Sequence, residues 1–170
     1  MKSVILSLVV AGMLAGPSGC GSDSKSGAPD GGGGSPDAGG GKDLSRFIGT
    51  WKPTSGTLTT TCAGQSSTDA VTDNTVWAAG ISSDLVQTDG SCALMANVTG
   101  STASALPSQS CTQMSGTTTA TLSTTAYTFS LSADGQTATE SGSGILSGNS
   151  GGVAVSCSIS ITAAYQKIAN

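Results

Sequence analysis

The chain has 170 residues, 36% of them hydrophobic and only 9% charged, with a formal net charge of −4 and no histidine. That length fits one domain of ordinary size, and so acidic a balance leaves no basic stripe to displace counterions from nucleic acid. The missing histidine removes nucleophilic chemistry of the Ser-His-Asp and Cys-His kinds. Ser, Thr and Gly take the place of charge, and threonine, branched at Cβ, favours strands, so the folded part is expected to be neutral, hydroxyl-rich and β-prone.

Residues 1–14, MKSVILSLVVAGML, place Lys2 ahead of an apolar run from Val4 to Leu14. The run is shorter than the roughly 20 residues of a membrane-spanning helix and suits the apolar region of a secretory signal. Ser18 and Gly19 then lead directly into Cys20. This arrangement resembles the signal of bacterial lipoproteins, in which a small residue precedes the cysteine that is lipidated and becomes the new N-terminus. Pro17 stands where that family usually has an aliphatic residue. The resemblance implies a signal peptide over residues 1–19, palmitate-type acylation of Cys20 and anchoring to a membrane. Cleavage nearby by an ordinary signal peptidase is the alternative, and it would leave Cys20 as a lone exported thiol.

Several acyl chains hold a protein to a bilayer far better than one, since each buried methylene contributes about 0.8 kcal/mol. Residues 20–43 follow as a tether dominated by Gly, Ser, Pro and Asp. A flexible coil of that length has an end-to-end distance of roughly 25 Å. Gly21 occupies the position at which Asp, in lipoproteins of diderm bacteria, often signals retention in the inner membrane. The implied location is therefore the outer membrane, on its periplasmic or its surface face.

The folded domain is expected over residues 44–170, beginning with a short turn around Leu44–Ile48. A first strand lies near Trp51–Cys62, with Leu58, Thr60 and Cys62 on one face. Asp69, Asp73 and Asn74 fall in a polar loop that lacks the ligand spacing of a calcium site. Short strands surround Trp77 and Leu85, TDGS at 88–91 marks a hairpin, and Cys92, Leu94, Ala96 and Val98 share a face. TTTATLS at 117–123 and TAYTFSLS at 125–132 suggest two further strands, the second with Tyr127, Phe129 and Leu131 together, before a hairpin signal in SADGQ. Glu140 lies in the next strand, either as an outward charge protecting an edge or as a polar group facing a cavity. The longest alternation puts Val153, Val155, Cys157, Ile159, Ile161, Ala163 and Tyr165 on one face of a final strand, with Cys157 inward.

About eight strands joined by turn signals predict an all-β, antiparallel domain, a closed or nearly closed barrel, with a β-sandwich as the alternative. Cys62, Cys92, Cys111 and Cys157 are an even number in an exported domain and predict two disulfides, for which three pairings exist. Closure of the barrel would set the first and last strands side by side and favour Cys62 with Cys157, leaving Cys92 with Cys111 as a local clasp. With no C-x-x-C spacing and no histidine, no metal and no cofactor are expected.

FIGTWK, Phe47–Lys52, opens this domain. Its Gly49-Thr50-Trp51 resembles the G-x-W with which lipocalins and other calycin barrels begin, where the tryptophan plugs the closed end. Lys167 is the candidate for the family's basic residue that packs on that tryptophan; the family's middle motif is not evident. A core tryptophan opening a strand would look the same. The resemblance implies a lumen for a small apolar ligand, and the small residues Ala96, Ala120 and Ala163 on inward faces leave room for one. The expected function is thus a tethered monomeric binding module. The alternative is an envelope structural or protein-interaction module, inhibitor-like as some bacterial members of the group are, with no ligand cavity. Catalysis is not expected, because most of the carboxylates that could serve as a pair sit in turn contexts.

Overall fold

The computed structural model describes residues 42–89, 92–115, 118–150 and 153–170. The expected signal peptide, Cys20 and the tether as far as Gly41 lie outside them. A 3-10 turn at Leu44–Arg46 precedes β1 (Gly49–Cys62), β2 (Gln65–Ala70), β3 (Thr75–Ala79), β4 (Leu85–Asp89) and β5 (Cys92–Thr99). Then come β6 (Thr102–Ala105), β7 (Ser110–Ser115), β8 (Thr118–Leu131), β9 (Thr137–Ser150) and β10 (Val153–Ala169). The circuit β1–β3–β4–β5–β6–β8–β9–β10 returns to β1, so the domain is a closed antiparallel barrel of eight strands rather than a sandwich, with β2 and β7 added to it.

The two added strands follow from the length of their neighbours. β1 pairs along one edge with all of the matching part of β10, but along the other with β3 only at Gly49–Trp51 and with β2 at Thr57–Cys62. β8 is shared in the same way between β6 and β7. Two barrel walls are therefore broken partway up, at residues 71–74 and 106–109. The polar loop expected at Asp69 is corrected here: Asp69 lies in β2, a strand exposed at every residue and hence without the apolar alternation that would reveal it.

Two further expectations are revised. The segments 117–123 and 125–132 are not two strands but parts of β8, whose register shifts between Thr124 and Ala126. That bulge changes the parity of the inward face from Ala120 to Tyr127, Phe129 and Leu131, which in sequence looks like a break. Val153 and Val155 have the parity of the buried face of β10 yet stay exposed. β1 ends opposite Cys157, so the start of β10 projects past it with no wall to cover that face.

One apolar cluster fills the end of the barrel nearest the 3-10 turn, with Phe47, Trp51, Trp77, Leu85, Val98, Phe129 and Tyr165 all buried. Trp51 and Phe129 meet edge to face at 5.2 Å between ring centroids, and Phe129 stands 5.7 Å from Tyr165. A smaller cluster of Ala120, Leu146 and Cys157 occupies the other end. Disulfides join Cys62 to Cys157, directly opposite one another on β1 and β10, and Cys92 to Cys111, which ties the β4–β5 hairpin to β7. Of that hairpin's turn, Gly90 and Ser91 lie outside the described residues.

Candidate functional site

The closed end is built around Trp51. Its indole Nε1–H donates to the Phe47 carbonyl at 2.8 Å, which fixes the entering chain across the base of the barrel. Lys167, on β10, places Nζ 5.6 Å from the centre of the Trp51 ring and donates to the carbonyls of Ser45 and Arg46 at 3.2 Å each. Arg46 reaches the far turn, donating to the carbonyls of Ser132 and Ala133. Gly49 is required where it stands: its φ is +129° and a Cβ there would overlap the Ala169 carbonyl oxygen. The seal therefore closes this end of the barrel.

Toward the opposite end a cavity of about 150 Å³ opens between the two clusters. Leu58, Leu94, Leu122, Leu146, Ile159 and Ile161 make its walls apolar, and the broken walls contribute Asp73 and Gln109 at the rim. Gln109 holds the 106–109 interruption in place by imitating a strand neighbour. Its Oε1 accepts from the Met95 N–H at 2.6 Å while Nε2 donates to the carbonyls of Met95 and Leu106. The Cys92–Cys111 disulfide lies beside it on the rim.

Tyr127 and Gln87 form the floor. The Tyr127 hydroxyl donates to Gln87 Oε1 across the barrel at 3.4 Å. Gly142, opposite Tyr127 on β9, permits this: a Cβ there would lie 3.0 Å from the Tyr127 ring and 2.9 Å from Ile161. Beyond the floor, at the next inward position of β9, sits Glu140, only 2% exposed. Of the two readings open for it, the outward edge charge is excluded. Tyr165 donates its hydroxyl to Glu140 Oε2 at 2.5 Å, and Thr75 donates to the Tyr165 oxygen at 3.5 Å. Burial pushes the Glu140 carboxyl above its ordinary range, against the hydrogen bond from Tyr165 and the proximity of the Tyr127 phenol, which pull it down. Burial next to Glu140 likewise raises the Tyr127 and Tyr165 phenols, so both remain donors at neutral pH.

Among the described residues, two buried polar atoms of this interior have no hydrogen-bond partner, Glu140 Oε1 and Trp77 Nε1. Trp77 is directly opposite Gln87 in the β3–β4 register, and its ring centroid is 6.1 Å from that of Tyr127. A buried unpaired acceptor or donor costs about 1–3 kcal/mol.

Sequence reasoning put Trp51, Lys167 and the four cysteines in view but not Gln87 as part of a site. Glu140 could be placed by parity, since Ala138, Gly142, Gly144 and Leu146 around it are all small or apolar. Asp134 serves its turn, accepting from the Gln136 N–H at 2.9 Å and from the Ser132 hydroxyl. Asp84 accepts from Lys42 and from the Val98 N–H at 2.7 Å. Asp69 and Asp73 do not assemble a cation site, and among the described residues no group of three His, Cys, Asp or Glu side chains is placed to hold a metal. No protein-family model matches the chain, and no curated protein matches its sequence.

Proposed function

We propose that this protein is an exported lipoprotein, anchored through lipidated Cys20, whose barrel binds a small apolar ligand at its open end. The cavity of about 150 Å³ with apolar walls carries the reading of a binding module, since a cavity of that size lined by aliphatic and aromatic groups admits a benzene-sized guest. The sealed end supports it, because Gly49, Trp51 and Lys167 meet there as the calycin resemblance implies. The two disulfides fit an oxidising compartment outside the cytoplasm, and in the sequence a stretch rich in Gly, Ser, Pro and Asp separates Cys20 from the domain. The reading is of a binding role, with the buried Glu140 carboxylate engaged by Tyr165.

Native mass spectrometry of the chain, exported to an oxidising compartment and purified without detergent, tests this reading. A copurifying or added apolar molecule bound one to one is the expected result. A barrel that stays empty against a panel of small hydrocarbons and aromatic compounds would overturn it and shift attention to the rim as a protein contact. Mass analysis of the mature N-terminus tests the anchor: a lipidated Cys20 is expected, and an unlipidated terminus at another residue would refute it.

A further inference from the structure

Of the polar side chains that line the cavity, three are more than nine-tenths buried: Tyr127, Gln87 and Thr60, at 6%, 7% and 3% exposed. Tyr127 spends its hydroxyl hydrogen on Gln87 Oε1, which turns the amide so that its NH2 group is the free end. Among the described residues no group pairs with Gln87 Nε2 or with the Thr60 hydroxyl. The interior atoms that are both unpaired and sealed off are Glu140 Oε1 and Trp77 Nε1. Gln87 Nε2 and Thr60 Oγ1 are not sealed, and the space they meet on the inside of the wall is the cavity they line. An amide NH2 only donates, and a threonine hydroxyl donates as well as accepts, so both offer a hydrogen to an acceptor.

Charge narrows the class of acceptor. The lining includes no Lys or Arg, and its one charged residue is Asp73 at the rim, which is acidic. A carboxylate brought to the floor would lose its water without gaining a cation, whereas a neutral carbonyl oxygen gives up little and gains the amide hydrogen. We propose that the cavity selects a neutral carbonyl compound, a ketone or ester on a small apolar body, whose oxygen accepts from the Gln87 NH2 at the floor. Thr60, one inward position past Leu58 toward Cys62, offers a second donor along the β1 wall. This rests on the reading of the barrel as a ligand-binding module and adds the class of ligand. The selectivity arises because a hydrocarbon of the same shape leaves the buried NH2 unpaired.

Three probes of one shape test the proposal: acetophenone, α-methylstyrene, in which CH2 replaces the carbonyl oxygen, and benzoate, in which a charged oxygen replaces the methyl group. Each is titrated at neutral pH into the exported, oxidised chain and into its Gln87→Leu variant. Comparing the ratio of affinities between the two proteins cancels the different hydration of the probes. The substitution should move the ratio of acetophenone to α-methylstyrene against the ketone by about threefold or more. Benzoate should bind the parent at least about tenfold more weakly than acetophenone. The infrared carbonyl stretch of bound acetophenone needs no variant, and serves if Gln87→Leu does not fold: it should lie below its position in a hydrocarbon solvent, as for any hydrogen-bonded ketone. A ratio unchanged by the substitution, a stretch at its hydrocarbon value, benzoate bound as tightly as the ketone, or binding of α-methylstyrene alone overturns the proposal and leaves the binding module standing. No binding by any of the three removes the binding reading and this one with it.

Discussion

The two disulfides close loops of very different length, and this difference sets a quantitative expectation. Cys62 and Cys157 are 95 residues apart, whereas Cys92 and Cys111 are separated by 19. If each stabilises by restricting the unfolded chain, the long loop contributes about 4.7 kcal/mol and the short one about 3.2 kcal/mol at 25 °C. The Cys62→Ala/Cys157→Ala variant also leaves a small void beside Ala120 and Leu146, where Cys157 is buried, which adds a fraction of a kcal/mol or more. It should therefore lose at least about 1.5 kcal/mol more than Cys92→Ala/Cys111→Ala. For a domain of this size its melting temperature should fall by roughly 15–20 °C.

Urea denaturation of both double variants and of the oxidised parent, followed by tryptophan fluorescence, gives the three free energies, provided the slopes with urea are compared as well. A changed slope would report a change in the compactness of the unfolded chain, which is where this mechanism acts. An equal loss in the two variants, or a larger loss on removing Cys92 and Cys111, would refute closure entropy as the source. It would place the main contribution in the rim that the shorter loop holds together.

The buried carboxyl gives a pH dependence of definite sign. Burial raises Glu140 in the fold above its ordinary value of 4.5, so its protonated form is favoured there and stability is greatest below that value and declines as pH rises through the folded value. Glu140→Gln should remove the decline: measured by urea midpoints, the variant should gain on the parent from pH 4 to pH 8, and a gap independent of pH would contradict the assignment. Asp84 and Asp134 act in the opposite sense. The side-chain bonds from Lys42 to Asp84 and from Ser132 to Asp134 hold these carboxyls below their ordinary value of 3.8, so their support is lost as pH falls through the lowered values. A third expectation concerns the base of the barrel: Gly49→Ala forces a Cβ into the Ala169 carbonyl at a φ of +129° and should cost at least about 1–3 kcal/mol. A variant within a few tenths of a kcal/mol of the parent in urea would show that β10 yields there.

Much of this fold is legible in the sequence because a strand with one buried face writes its parity into the chain. Tyr127, Phe129 and Leu131 alternate and are all buried, and the run through Cys157, Ala163 and Tyr165 fixes the inward face of β10. Neighbouring first and last strands then bring Cys62 to Cys157 by register alone. The same rule is silent where its physical cause is missing. β2 is exposed on both faces and shows no alternation, and the bulge in β8 reverses the parity within one strand. Val153 and Val155 keep the pattern where no opposing wall exists to bury them.

The interior chemistry depends on closure. Parity groups Glu140 with Ala138, Gly142 and Leu146, and the β9–β10 register sets its carboxyl diagonally beside Tyr165, 25 residues away, whereas closure of the barrel sets Tyr127 against Gln87, 40 residues away. The sequence by itself determined most strand faces, the expectation of two disulfides and the tryptophan at the start of β1, because these are consequences of local alternation, composition and chain order, whereas the choice among the three cysteine pairings waited on barrel closure. The cavity, its Tyr127–Gln87 floor and the unpaired acceptor beneath it were decided by the tertiary structure alone, because which inward groups meet across a barrel is set by strand stagger and wall breaks that no local pattern encodes.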